Sequence, residues 1–119
     1  DLECHIPQKL DVQKMKEAIK HFEGEHDFKA FRASGTSSKN SVRNIYKTEI
    51  RQDGERIIIE LTGNGFMYNM VRIIVGTIVD VGMGKIKPGD IPEILKSKDR
   101  NKAGKTLPPH GLYLVEVYY

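Results

Sequence analysis

The run from Gly65 to Gly84, Gly-Phe-Met-Tyr-Asn-Met-Val-Arg-Ile-Ile-Val-Gly-Thr-Ile-Val-Asp-Val-Gly-Met-Gly, constrains the fold more than any other stretch. Between Glu60 and Asp80 the only charged side chain is Arg72, in a chain that is 29% charged. Phe66, Met70, Ile73, Ile74 and Val81 recur at three-and-four spacing, and Met67, Val71, Val75, Ile78 and Val79 fill much of the remaining circumference. A helix apolar nearly all round is a buried helix. Gly63, Asn64, Gly65, Asn69, Arg72 and Gly76 interrupt the run too often for a membrane span. A buried arginine cannot shed its proton, so Arg72 needs a carboxylate, a phosphate or a water-filled cleft. Tyr68, four residues earlier, shares its helical face.

The rest of the chain reads as short elements around that helix. Residues 1–10 read as a linker, with Pro7 breaking any regular element, and the opening Asp1-Leu2-Glu3, without Met, reads as a piece of a longer protein. Asp11 is the predicted N-cap of a helix through about Phe22, with Val12, Met15, Ile19 and Phe22 on one face and Gly24 ending it. His26 to Arg32 reads as a short helix or turn with Phe28 and Phe31 inward, followed by a polar loop from Ala33 to Ser41. From Val42 the period becomes two. Val42, Tyr46, Thr48 and Ile50 are expected on one face and Arg43, Lys47, Glu49 and Arg51 on the other. Asp53-Gly54 signals a hairpin into a second strand carrying Ile57, Ile59 and Leu61. Asp90 to Glu93 has the pattern of a capping box for a helix to about Lys98. Asp99 to Pro109 is a charged loop, and Leu112 to Tyr119 a strand apolar on both faces except at Glu116, hence central. These elements predict one α+β domain over residues 11–119, an antiparallel sheet with helices packed on it.

At 119 residues and a formal charge of +3, the chain has room for a core and a mild basic bias that permits nucleic-acid binding without requiring it. Its one cysteine, Cys4, excludes an internal disulfide and suits a reducing, cytoplasmic setting. Neither a signal-peptide nor a lipidation pattern is present in these residues. Charge is unevenly spread. Phe28 to Thr48 holds Lys29, Arg32, Lys39, Arg43 and Lys47 with no acid, and Lys96, Lys98, Arg100, Lys102 and Lys105 form a second cluster broken only by Asp99. Both lie in or beside Ser/Thr/Gly-rich loops, where cations and backbone amides can follow a phosphate chain. The alternative is a solvated surface. His5, His21, His26 and His110 lack metal-ligand spacing, and no carboxylate pair has a glycosidase arrangement. Gly63-Asn64-Gly65 and Gly82-Met83-Gly84 lack the strand-turn-helix context of a phosphate loop. His26 and Asp27 read as cap, core or turn formers.

Three groups of residues carry a resemblance. Gly65 to Thr77 is similar to the signature of the tRNA pseudouridine synthase A family. So are Glu25-His26-Asp27-Phe28-Lys29-Ala30-Phe31-Arg32 with the Ser-Lys loop and Val42-Arg43 that follow. So are Lys98-Asp99-Arg100, Ala103-Gly104, Thr106-Leu107-Pro108-Pro109-His110 and Gly111-Leu112-Tyr113-Leu114. They fall in family order over about residues 10–119.

The resemblance implies two related halves around a cleft, acting as a homodimer on the tRNA anticodon stem-loop. It implies conversion of uridine to pseudouridine at tRNA positions 38 to 40 without cofactor or metal. The family's nucleophile is an aspartate in a Gly-Arg-Thr-Asp-Ala-Gly motif of the N-terminal half, which this sequence lacks, so the chain resembles the C-terminal half alone. By resemblance Arg72 would pair with that aspartate, lowering its pKa and aiming it. Asn69 stands where a histidine is common. Tyr68, Leu112 and Tyr113 are candidates for the substrate pocket, although ordinary packing accounts equally for the last two. Arg32, Lys39, Arg43, Arg100 and Lys102 are candidates for tRNA contact. Two alternatives stay open: an internal salt bridge of Arg72 with Glu116 or Glu60, and a non-catalytic RNA-binding or dimerisation module of the same fold.

Overall fold

The computed structural model describes residues 2–4, 10–33, 40–54, 56–67, 69–106 and 113–118, with the backbone alone at 2–4, 53, 56 and 113–118. Asp11 caps α1 (Val12–Ile19) by accepting the Lys14 amide at 3.1 Å, and a 3-10 turn, Lys20–Phe22, extends the helix. Met15, Ile19 and Phe22 are buried on the expected face with Ala18 beside them, while Val12 is half-buried. The chain then enters β2 (Gly24–Asp27) rather than a turn, because Gly24 at φ 101 reverses it to run antiparallel to the strand at Val42–Asp53. A short 3-10 turn at Lys29–Phe31 buries Ala30 and Phe31, with Phe28 and Phe31 packed on Phe22.

β3 (Val42–Asp53) and β4 (Arg56–Gly63) form the expected hairpin, with Asp53 opposite Arg56 and Gly54 at φ 62 in the turn. The expected faces hold for only part of β3. Ile45 pairs with Gly63 and Lys47 with Thr62, so Tyr46 is an extra residue in a bulge. The bulge shifts the alternation: Thr48 and Ile50 are buried as expected, while Val42 and Tyr46 are exposed and Ile45 takes the inward place.

α2 (Met70–Gly82) is the core helix, and of its side chains only Val71, Arg72 and Asp80 escape full burial. It starts at Asn69, in the left-handed conformation at φ 58, so the apolar residues from Gly65 to Met67 lead into the helix without belonging to it. Its apolar residues join those of α1, β3 and β4 in one cluster. After a 3-10 turn at Pro88–Asp90 comes α3 (Ile91–Ser97). Asp90 does not cap α3 as the pattern suggested. Its carboxylate reaches back to the Lys87 amide at 3.1 Å, because the preceding turn offers a nearer donor.

The sheet order is β1-β5-β4-β3-β2. The α+β class stands. Three of the four pairings are antiparallel, but β5 (Tyr113–Tyr118) runs parallel to β4 because α2 and α3 carry the chain back to the starting end of β4. β5 is an interior strand. Its other neighbour is β1 (Leu2–Cys4), so the stretch read as a linker opens with an edge strand. Three residues are too few to display a period.

Candidate nucleic-acid and catalytic surface

Arg72 is the third residue of α2, half-exposed beside the start of a helix whose other first-turn residues carry no charge. Among the described residues its guanidinium has no hydrogen bond and no ion pair. Glu60, one acid considered for it, binds Arg51 at 2.5 Å. The other, Glu116, stands beside Glu60 in the β4–β5 register, and its side chain lies outside the described part. The first turn of a helix is electropositive, so a cation there is disfavoured and an anion favoured. The guanidinium and the helix end together form a spot that an incoming carboxylate or phosphate would neutralise.

The basic segments meet at a different place. Asp27, at the end of β2, accepts the Ser41 hydroxyl at 2.5 Å and the Lys29 amide at 3.0 Å, and it pairs with Lys98 at 3.8 Å. Burial pushes its carboxyl up. The Ser41 hydroxyl, the Lys29 amide and the charges of Lys98 and Arg32 outweigh that and hold it below its ordinary value. Arg32 is half-buried near this carboxylate. Arg43 folds onto its own loop, donating from Nη1 to the Asn40 and Val42 carbonyls at 2.8 Å. Arg100 donates to the Gly104 carbonyl at 2.8 Å and the Thr106 hydroxyl at 3.3 Å. The two sequence clusters are therefore neighbours, with the turn at Lys29–Phe31 packed against the turn at Arg100–Lys102.

The second cluster is moored to the core helix. Thr77 Oγ1 donates to the Ile73 carbonyl and accepts the Gly104 amide, both at 2.8 Å and both buried. A Cβ on Gly104 would lie 2.7 Å from Thr77 Cα, so only glycine allows this approach. Asp80 lies at the same contact, and its half-buried carboxyl is pushed up by burial, against the pull of Lys85 and Lys105. A pocket of about 510 Å³ opens beside Lys102, but Asp90 and Glu93 share its lining with Lys96, so it presents no single sign of charge to a ligand.

Of the sequence candidates, Arg32 lies near Asp27, the turn that carries Arg100 packs against the turn at Lys29–Phe31, Arg43 lies two residues beyond Ser41, and Lys102 is exposed on the Arg100 turn. Nothing in the described contacts joins Arg72 to that corner. Lys39, Tyr68 and Leu112 lie outside the described residues; Tyr113 is placed only by its backbone, beside Ile57 in β4. His26 is a half-buried packing residue, bonded to the Glu23 carbonyl at 2.8 Å and edge-on to Phe28. Sequence reasoning treated Asp27 as a turn former, which its bond to the Lys29 amide bears out, but missed Ser41 and Lys98 as its other partners. The available signal was an acid standing just before an acid-free run of twenty residues and more.

No helix among the described residues is long and apolar enough to cross a membrane. The model of a family described as tRNA pseudouridine synthase matches residues 18–119. The chain is 54% identical over 115 residues to tRNA pseudouridine synthase A of Caldicellulosiruptor bescii, covering 97% of this chain and 47% of that protein. It is 51% identical over 115 residues to the protein of the same name from Acetivibrio thermocellus, with the same coverage. The chain thus spans about half the length of the curated relatives it matches. With the family model covering the core helix, the hairpin and both basic segments, the chain belongs to the tRNA pseudouridine synthase family.

Proposed function

We propose that this chain is the C-terminal half of a tRNA pseudouridine synthase acting in the cytoplasm on the anticodon stem-loop, at tRNA positions 38 to 40. It would supply one wall of the cleft, the arginine partner of the catalytic aspartate and much of the tRNA-binding surface. The nucleophile would come from the N-terminal half, and the whole would work as a homodimer. The observation that carries this reading is Arg72: a cation on the core helix, in an electropositive first turn, with no polar partner among the described residues. A carboxylate brought there from outside gains an ion pair that lowers its pKa and fixes its direction. The aspartate then stays ionised while the C1′–N1 bond breaks and a C1′–C5 bond forms, with C5 losing a proton and N1 gaining one in the balance. The uridine must leave the stack first, which suits basic loops gripping the backbone around it. Arg32, Lys39, Arg43, Arg100 and Lys102 are the proposed grips; Tyr68, Leu112 and Tyr113 are the proposed pocket wall.

This chain alone should be inactive, because no aspartate sits in the nucleophile's motif and water does not replace a covalent nucleophile. The test is to incubate unmodified tRNA with this chain, and separately with the protein carrying both halves, and to map pseudouridine. Activity only in the second supports the reading. Turnover by the chain alone, or none by either, sinks it. A non-catalytic RNA-binding module would retain tRNA in a salt-dependent way and convert none of it.

A further inference from the structure

Asp27 is an acid at the meeting point of two cation-rich segments, and a surface built only to attract phosphate has no use for it. Its three arms reach three separate stretches of chain: the Lys29 amide in the following turn, the Ser41 hydroxyl just before β3, and the Lys98 ammonium just after α3. Arg43 lies two residues beyond Ser41 and Arg100 two residues beyond Lys98. Each arginine in turn closes its own loop onto backbone carbonyls. Asp27 itself stands on a strand, paired with Val42 across the β2–β3 register, so it is a rigid mooring.

We propose that Asp27 is a positioning residue for tRNA, clasping the start of β3 to the end of α3 so that Arg43 and Arg100 meet one RNA backbone at a set spacing. The inference deepens the reading above and rests on it. It assigns a role to an acid that touches no phosphate. A surface ion pair such as Lys98–Asp27 is worth little alone. Here it is one of three arms, and their combined effect is to remove the freedom with which two loops would otherwise find the RNA.

The test uses the protein carrying both halves, with kcat and KM for unmodified tRNA measured for wild type, Asp27→Ala, Asp27→Asn, Arg100→Ala and the Asp27→Ala/Arg100→Ala pair. Asp27→Ala is expected to raise KM about tenfold and leave kcat within about twofold. Asp27→Asn keeps an acceptor for Ser41 and the Lys29 amide, and should recover part of the loss. Arg100→Ala should cost less in the Asp27→Ala background than in wild type, since a loosened loop no longer presents Arg100; additive losses would overturn the clasp. Tighter binding with a steeper salt dependence in Asp27→Ala would also overturn it, showing an acid that merely repels RNA. If Asp27→Ala does not fold, Ser41→Ala and Lys98→Met each cut one arm and should raise KM roughly threefold; no rise in either overturns the clasp. A wild-type protein inert on tRNA would instead overturn the tRNA reading itself.

Discussion

Arg72 and Asp27 are both partly buried charges, and the molecule treats them in opposite ways. Asp27 is surrounded by a hydroxyl, an amide and two cations, and its carboxyl is held low as a result. Arg72 stands on the core helix with an uncharged first turn around it and no polar partner among the described residues. A charge satisfied within its own domain is a structural member whose loss is felt in stability and loop placement. On the function proposed above, a charge left at an electropositive helix end awaits an anion from elsewhere, and its loss would be felt only when that anion arrives.

The largest expected effect is at Arg72. In the protein with both halves, Arg72→Met should lower kcat by about 10²–10³-fold, the scale for removing one preorganised electrostatic partner, with tRNA affinity nearly unchanged. In this chain alone the same change should cost about 1 kcal/mol or less in a denaturant melt, because no described acid is stranded. A chain that unfolds with Arg72→Met, beside an active full protein, would erase the contrast between the two sites.

Next comes the mooring of the Arg100 loop. Gly104→Ala forces a methyl to 2.7 Å from Thr77 Cα, against backbone that has little room to yield. The expected loss is about 1–3 kcal/mol of stability, with weaker tRNA retention at all salt concentrations. Wild-type stability in this variant would mean that the loop is not pinned to α2.

A smaller effect tests the paired acids through pH. Asp27 and Glu23 both have lowered pKa values. For Glu23 burial again pushes up, while the Thr48 hydroxyl and amide and the nearby Lys20 prevail. A carboxyl held low contributes stability above its unfolded pKa and loses that contribution as pH falls through the lowered value. The melting temperature should therefore drop below pH about 4. Asp27→Asn should flatten that acid limb while costing about 1 kcal/mol at neutral pH, after allowance for solvent around the Lys98 pair. An acid limb as steep as wild type would remove Asp27 from the set of paired charges.

The smallest is Asp80, whose carboxyl burial holds up, so its sign is reversed. Its ionisation opposes folding at neutral pH, and that opposition fades as pH falls through the raised value. Asp80→Asn should raise the melting temperature at pH 7 by about 1–3 °C, with the gain shrinking on acidification. A lower melting temperature at pH 7 would mean that the ionised carboxylate is a paired member like Asp27.

The strongly periodic elements were readable from the residues. α1 and its Asp11 cap and the Asp53-Gly54 hairpin stand where the pattern put them, and the apolar core helix does so from Met70 onward, because each buries a long stripe that admits one secondary structure. The edge strands were not. β1 and β2 have three and four residues and are strands because a neighbour offers unpaired backbone, which is information held elsewhere in the chain. The phase of β3 was lost at one inserted residue, Tyr46, since a period of two cannot report a bulge. Asp90 was assigned forward to Glu93 when the nearer amide lay behind it. The Asp27 corner joins residues 14 and 71 positions away, a separation no local pattern spans. For the candidate site, Arg72 stood out by its isolation among apolar residues, while no polar partner for it stands among the described residues.

The parallel pairing of β5 with β4 has a consequence for how the chain emerges from a ribosome. β4 carries Ile57, Ile58 and Ile59 in succession, and among the described residues one of its edges is covered by Tyr113–Tyr118. Those residues come some fifty positions later, after both helices of the crossover. Until they are made, an apolar strand stands with a row of unsatisfied amides and carbonyls, the kind of edge that recruits strands from other chains. β1, made earlier, pairs with the far side of β5 and has no other strand partner among the described residues until β5 exists. The closing strand therefore ends the nascent chain's exposure to aggregation, and slow translation through the α2–α3 crossover should lower the soluble yield.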